Sequence, residues 1–325
     1  MGRRRAATFS GLLARNARTM TRLAQAATRR ALEPLAERRR PPRGAGEWIA
    51  GVALAPAGAR RFHLHRPPGV KPGERLPVMV MLHGCGQDGK RFAASTRMNA
   101  LANRERFLVL YPEQDRVAHA QGCWHWFDTR SGRAQGEAAI ILAAIDQVCL
   151  LHGGDKARVA VAGLSAGAGM AALIGSRHPA RVRAVAMHAG IGPGAAHSSA
   201  TALAAMQGRR APSITLEASV PPLLVIQGES DAIVAHGNAR AAALAWAHAL
   251  GAREGVPRTV QRGARRAMQV TDFKVAGRTR VSLVEIAGLG HAWSGGAAGQ
   301  AFSDPLGPDA SRLTWAFARK AFDEG

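Results

Sequence analysis

A hydroxyl, a carboxylate and an imidazole occur in this 325-residue chain in an order that can support covalent catalysis: Ser165, Asp231 and His291. Ser165 is the centre of Gly163-Leu164-Ser165-Ala166-Gly167. A serine hydroxyl is a weak nucleophile until a neighbouring base removes its proton. That base works best when a third group fixes its tautomer and stabilises its cation. His291 is the candidate base and Asp231 the candidate orienting acid. The glycines fit a turn so sharp that side chains two residues before and after the serine would collide. The attacked oxygen then needs hydrogen-bond donors aimed at its developing charge. Cys85, within His83-Gly84-Cys85-Gly86-Gln87, and Ala166, next after the serine, are the expected backbone N–H donors of this oxyanion hole. Each signal has a plain alternative. With 37 glycines the serine pattern arises readily by chance, Asp231 suits a helix N-cap, and His291 is one of 12 histidines. Their joint occurrence in the required order favours the catalytic reading.

These residues need a frame, and the pattern around them supplies one. The apolar run 158–162 reads as a strand entering the turn, and 166–177 as the helix leaving it. Residues 223–228 read as a strand that delivers Asp231, 281–286 as one that delivers His291, and 77–82 as one that delivers Cys85. Further strands are expected at 107–111 and 182–188, and helices at 88–105, 135–152, 235–250 and 311–322. Strands alternating with helices predict a mostly parallel central sheet with helices on both faces, an α/β-hydrolase fold. Catalytic groups then gather at the C-terminal ends of the strands. A hairpin is expected at 270–274 and 281–286, and 192–220, rich in Ala, Gly, Ser and Pro, reads as a small cap or excursion over the site.

The segments HGCGQ (83–87), YPEQ (111–114), GCWHWF (122–127), GLSAG (163–167), QGESDAIV (227–234) and GLGHAWSGG (288–296) together resemble the polyhydroxybutyrate depolymerase family of esterases, which is close to the feruloyl and acetylxylan esterases. The resemblance covers roughly residues 46 to 320. It implies an α/β-hydrolase fold, Ser165–Asp231–His291 as triad, and hydrolysis of short-chain hydroxyacid esters such as polyhydroxybutyrate or its oligomers. A feruloyl or acetylxylan type of carbohydrate esterase is the alternative. His125 departs from the family pattern, which more often has asparagine there.

Aromatic residues make up 5% of the chain, yet Trp124, Trp126, Phe127 and Trp293 fall in two loops near the candidate site. Trp124, His125, Trp126 and Trp293 are therefore candidate walls of a substrate pocket, because such pockets are mostly apolar with few polar anchors. Packing in the core is the competing reading for Trp124 and Trp126.

The first 43 residues differ from the rest. They hold 12 arginines against Glu33 and Glu37, and so carry ten of the chain's 22 net positive charges. Phe9, Leu12, Leu13, Met20, Leu23 and Ala27 share one helical face, while Arg15, Arg18, Arg22 and Arg29 lie opposite. This predicts a basic amphipathic helix and linker over 1–45, before a catalytic domain over 46–325. A helix of this kind suits a granule or membrane surface. A granule- or membrane-binding protein with a vestigial hydrolase core is the corresponding second alternative. Arginines interrupt any apolar signal-peptide core, which favours a cytoplasmic, granule-associated location, whereas many members of the resembled family are extracellular. Cys85 and Cys123 would bridge in an exported protein and stay thiols in a reducing cytoplasm; Cys149 is expected to be buried. No cofactor or metal is expected, since no histidine–carboxylate cluster has ligand spacing. No specific nucleic-acid partner is expected either: the chain has no helix-turn-helix signature and no aromatic–basic stacking motif.

Overall fold

A computed structural model describes residues 44–210 and 216–324. The expected helix over 1–43 lies outside these residues. The centre of the molecule is a single 11-stranded sheet. Six of its strands run parallel in the order β4 (Leu108–Pro112), β3 (Leu76–Leu82), β5 (Gly154–Leu164), β6 (Ala184–His188), β7 (Leu223–Gly228) and β11 (Arg278–Ile286). Every residue of β3, β4, β6 and β7 is buried, as expected for strands covered on both faces.

Alternation along these strands separates two cores. Val78, Val80 and Leu82 point into one, with α3 (Arg133–Leu151), α4 (Ala166–Arg177) and α6 (Gly237–Ala249). Met79 and Met81 point into the other, with α1 (Gly89–Thr96), α2 (Met98–Glu105) and α7 (Ala310–Asp323). The predicted helices on both faces are thus present. By length and composition α3 could cross a membrane, but Ile141, Ile145 and Val148 are buried in the core against the sheet.

Three features depart from the sequence reading. An antiparallel hairpin, β1 (Glu47–Ala55) and β2 (Gly58–Arg66), extends the sheet beyond β4. The expected helix at 88–105 is two helices, because Arg97 takes a left-handed φ of 55° and its N–H closes on Ala93 O. On the far edge, β8 (Arg253–Glu254) and β9 (Arg258–Val260) both pair with β10 (Met268–Val275), which forms the expected hairpin with β11. The excursion at 192–220 contains α5 (Ser199–Met206), opened by a Ser198–Thr201 capping box. Its end is tied to the segment after Asp231 by Ala235 N–H donating to Met206 O at 2.7 Å.

Candidate active site

Strand β5 ends at Leu164 and α4 starts at Ala166, so Ser165 alone makes the turn, at φ 56° and ψ −119°. For a residue with a Cβ this is a strained conformation, of a kind that persists only where the surroundings enforce it. Here its N–H donates to His188 O at 2.9 Å, and its carbonyl accepts from Ala168 and Gly169 N–H. The flanking glycines are required by contact. A Cβ on Gly163 would sit 2.3 Å from the Gly167 backbone, and one on Gly167 would sit 2.1 Å from Leu82 O. The collision expected from sequence is therefore between the two glycines and with β3.

Gly84 brings the HGCGQ loop to the serine: a Cβ there would be 3.5 Å from Ser165 Cβ. Gly84 N–H donates to Gln87 Oε1 at 3.1 Å. His83 is held at both ring nitrogens, since Nε2 accepts from Gln114 N–H and Nδ1 then donates to Gly84 O. Ala166 N–H is the first of α4, so it has no partner within the helix and lies beside the serine at the positive end of the helix dipole.

Across the site, His291 Nδ1 lies 2.8 Å from Asp231 Oδ2. Both side chains are nearly or fully buried, at 8% and 0% exposure. Burial alone would raise the Asp231 carboxyl. The hydrogen bond and charge of His291, with N–H donors from Val234 and Ile233, outweigh it and hold the group below its ordinary value. Gln227 Nε2 adds a fourth donor to this carboxylate at 3.0 Å. The acid and histidine loops are joined by backbone: Glu229 N–H donates to Ile286 O and Ser230 N–H to Leu289 O, both at 3.0 Å. Among the described residues no hydrogen bond joins the Ser165 hydroxyl to His291. Such contacts are often long before substrate binds.

The aromatic candidates take a different place from the one expected. Trp124, His125, Trp126 and Trp293 are 0%, 5%, 7% and 1% exposed, so they are packed supports and not open pocket walls. Trp124 lies against the His83 ring, Trp126 covers Gly169 of α4, and Trp293 stacks on His188 and donates to Ser311 Oγ. His125 is bound twice by Glu137 of α3, through its backbone N–H at 2.8 Å and its Nδ1 at 2.7 Å. That carboxylate also accepts from Gln114.

The geometry thus assembles a half-buried serine at a strained turn, an ionised acid on a histidine, and the first N–H of α4 beside that turn. A profile of the family described as esterase PHB depolymerase matches residues 61–270. The chain belongs to this family. Its members are carboxylic ester hydrolases, and the matched region includes Cys85, Ser165 and Asp231 and ends before His291. As a member of the esterase PHB depolymerase family, the chain is 34% identical over 132 residues to poly(3-hydroxyalkanoate) depolymerase C of Paucimonas lemoignei, covering 40% of this chain and 31% of that one. It is 29% identical over 122 residues to feruloyl esterase B of Thermothelomyces thermophilus, covering 37% and 41%. The chain therefore spans well under half the length of these curated relatives. An acetyl xylan esterase from Aspergillus awamori superposes with a TM-score of 0.59 at 17% identity, over 76% of this chain and 94% of that one. The fold is that of the α/β-hydrolase esterases.

In this esterase PHB depolymerase family member, Cys85 and Cys123 form a disulfide 38 residues apart in sequence. The bond clamps the loop carrying the expected oxyanion donor to the GCWHWF loop, beside Gly86 N–H donating to Gln121 O. Closing a loop of this size restricts the unfolded chain by about 4 kcal/mol in the loop-entropy account. Cys123→Ser is expected to lower unfolding free energy by about that amount, and reductant should do the same to the wild type. Urea titrations with and without reductant test this, and coincident curves would refute it. Cys149 is free and buried, as expected, and burial raises its thiol above the ordinary value.

His188 is a site residue that the sequence reading passed over as the last residue of a strand. Its carbonyl holds Ser165 N–H, while its ring Nε2 accepts Ser294 N–H at 3.1 Å, three residues beyond His291. It therefore links the nucleophile turn to the histidine loop. Burial, then the nearby positive charge of His291, lowers its pKa from 6.5 to about 3, partly opposed by Asp231. The folded protein thus takes up this proton less readily than the unfolded chain. Its contribution is full above pH 6.5 and is lost as pH falls toward 3. Between pH 7.5 and 5 the wild type should lose about 2 kcal/mol through this group. His188→Gln keeps an acceptor for Ser294 and should lose correspondingly less; equal losses in urea titrations at the two pH values would contradict the assignment.

Proposed function

We propose that this chain is a serine esterase hydrolysing short-chain hydroxyalkanoate esters, polyhydroxybutyrate or its oligomers, through an acyl-enzyme. The 2.8 Å pair of His291 and Asp231, placed at the same sheet end as the strained Ser165 turn, carries the reading. Ser165 Oγ attacks the ester carbonyl as its proton passes to His291 Nε2. Asp231 fixes Nδ1–H and stabilises the imidazolium. The carbonyl oxygen becomes an oxyanion held by the N–H groups of Cys85 and Ala166. Its collapse expels the alcohol, which takes the proton from His291. Water attacks the acyl-enzyme by the same route in reverse, giving the free acid and restoring Ser165.

The substrate class is supported by the similarity to a poly(3-hydroxyalkanoate) depolymerase. The similarity to a feruloyl esterase supports the second reading, a carbohydrate esterase of feruloyl or acetylxylan type. The disulfide supports export over a cytoplasmic location, since such bonds persist in oxidising compartments. Parallel assays on 3-hydroxybutyrate oligomers, amorphous polyester, methyl ferulate and acetylated xylan test the proposal. Release of 3-hydroxybutyrate at a kcat/KM at least about tenfold above the other esters is the expected result. A preference for ferulate or acetyl esters would overturn the substrate class and leave the mechanism.

A further inference from the structure

On the sheet face opposite α4, a cavity of about 490 Å³ opens between the α1–α2 junction, the segment from β9 to β10, and the start of α7. Its volume lies in the range of small-molecule sites, but its lining is not that of an apolar ester pocket. Six of its fifteen lining residues are arginines: Arg97, Arg104, Arg262, Arg265, Arg266 and Arg312. Lys and Arg make up only 44 of the 325 residues of the chain, so this wall is enriched well beyond the overall basic bias. Asp309 is the one acid in the lining, and it is occupied as the N-cap of α7 and by Arg312. Asp304 pairs with Arg266 at 3.0 Å. Arg97 and Arg265 donate to the carbonyls of Gly295 and Gly307, which leaves their charge unneutralised. Arg104 and Arg262 have no ion pair or hydrogen bond among the described residues. The first turn of α7 closes the wall with the positive end of a 14-residue helix.

We infer that this cavity is a binding site for a small multivalent anion, with two or more phosphate or carboxylate groups, separate from the ester-hydrolysing site. Guanidinium groups bind such groups through paired N–H donors, and several converging on one cavity select charge number over shape. A cavity of about 490 Å³ is the size of a compact ligand. Arg97 also gives the cavity a link to catalysis. Its guanidinium holds Gly295 O at 2.6 Å, four residues beyond His291, so a bound anion competes for the group that fixes the histidine loop.

Isothermal titration calorimetry of the full chain with pyrophosphate and, separately, with citrate tests the inference, at constant ionic strength near 0.15 M to suppress long-range attraction. Binding of at least one probe with unit stoichiometry is expected. The double variant Arg104→Ala, Arg262→Ala should weaken it at least about tenfold. Both side chains are exposed and thermal unfolding reports whether that variant keeps its fold. The variant Arg253→Ala, Arg278→Ala removes the same charge beside Lys274 and Val275, at the opposite end of β10 from the cavity, and should bind as the wild type does. Binding by pyrophosphate alone assigns a phosphate ligand, and binding by citrate alone a carboxylate ligand. No binding of either, or equal weakening in both double variants, overturns the site. Since the readout is heat of binding, it stands or falls independently of esterase activity.

Discussion

Replacing Ser165 by alanine is expected to lower kcat on any ester this protein hydrolyses by on the order of 10⁵-fold while leaving KM within a fewfold. The size follows from the site's construction. The alanine keeps the turn, the proposed Ala166 and Cys85 donors, and the His291–Asp231 pair, so substrate binding and oxyanion stabilisation are expected to remain. On the proposed mechanism only the covalent route is lost, and what persists is the residual catalysis of a preorganised donor set. His291→Ala should cost nearly as much, and the double variant little more than either single change, because the two groups act as one unit. Asp231→Asn should cost about 10⁴-fold, since an amide does not enforce the same tautomer. Steady-state kinetics on one soluble ester, with pure variants, tests the series. Additive losses, or a single-variant loss of only about tenfold, would remove Ser165 from the chemistry.

Gly167→Ala is expected to be the most damaging single methyl in the described structure. Its Cβ would lie 2.1 Å from Leu82 O and 2.6 Å from His83 O. Both are backbone atoms of the central strand and its loop, so no side-chain rotation relieves the contact. Relief requires α4 to lift off β3, or Ser165 to leave its turn. The expected cost exceeds about 4 kcal/mol, the range reserved for changes the structure cannot absorb. Gly237→Ala at the start of α6 is the control, since an added Cβ there meets nothing within 4 Å. It should stay within about 0.5 kcal/mol of the wild type. Urea unfolding of both variants decides the matter. A soluble Gly167→Ala protein of unchanged stability would show that the contact is not enforced.

The elements most legible in the sequence were those in which one physical demand dominates. The buried parallel strands appear as unbroken apolar runs because both faces are covered, and the serine turn shows its glycines because nothing larger fits between β5, α4 and β3. Asp231 and His291 could be paired because chain order and strand ends restrict the choice. What escaped depends on tertiary context. The β1–β2 hairpin has half-exposed strands, and β2 carries Arg60, Arg61 and Arg66, so its periodicity is diluted. The break at Arg97 carries no Gly or Pro to mark it; a left-handed arginine is held there by its N–H bond to Ala93 O and its guanidinium bond to Gly295 O. The tryptophans signalled importance but not exposure: their partners His83, Gly169 and His188 lie far away in sequence. His188 was hidden for the same reason, since its two roles face in different directions, one through its carbonyl and one through its ring.

Strand β7 delivers the acid, and β11, its immediate parallel neighbour, delivers the histidine. Everything between them, from α6 to β10, leaves this seam and returns to it. The seam is closed locally by Glu229, Ser230, Ile286 and Leu289, so the length of the intervening detour does not enter the spacing of the pair. The turn at Val256, 90% exposed between β8 and β9, is a place where the chain can accept an inserted segment without disturbing that spacing. The far edge of the sheet is thus open to remodelling while the acid and base remain neighbours.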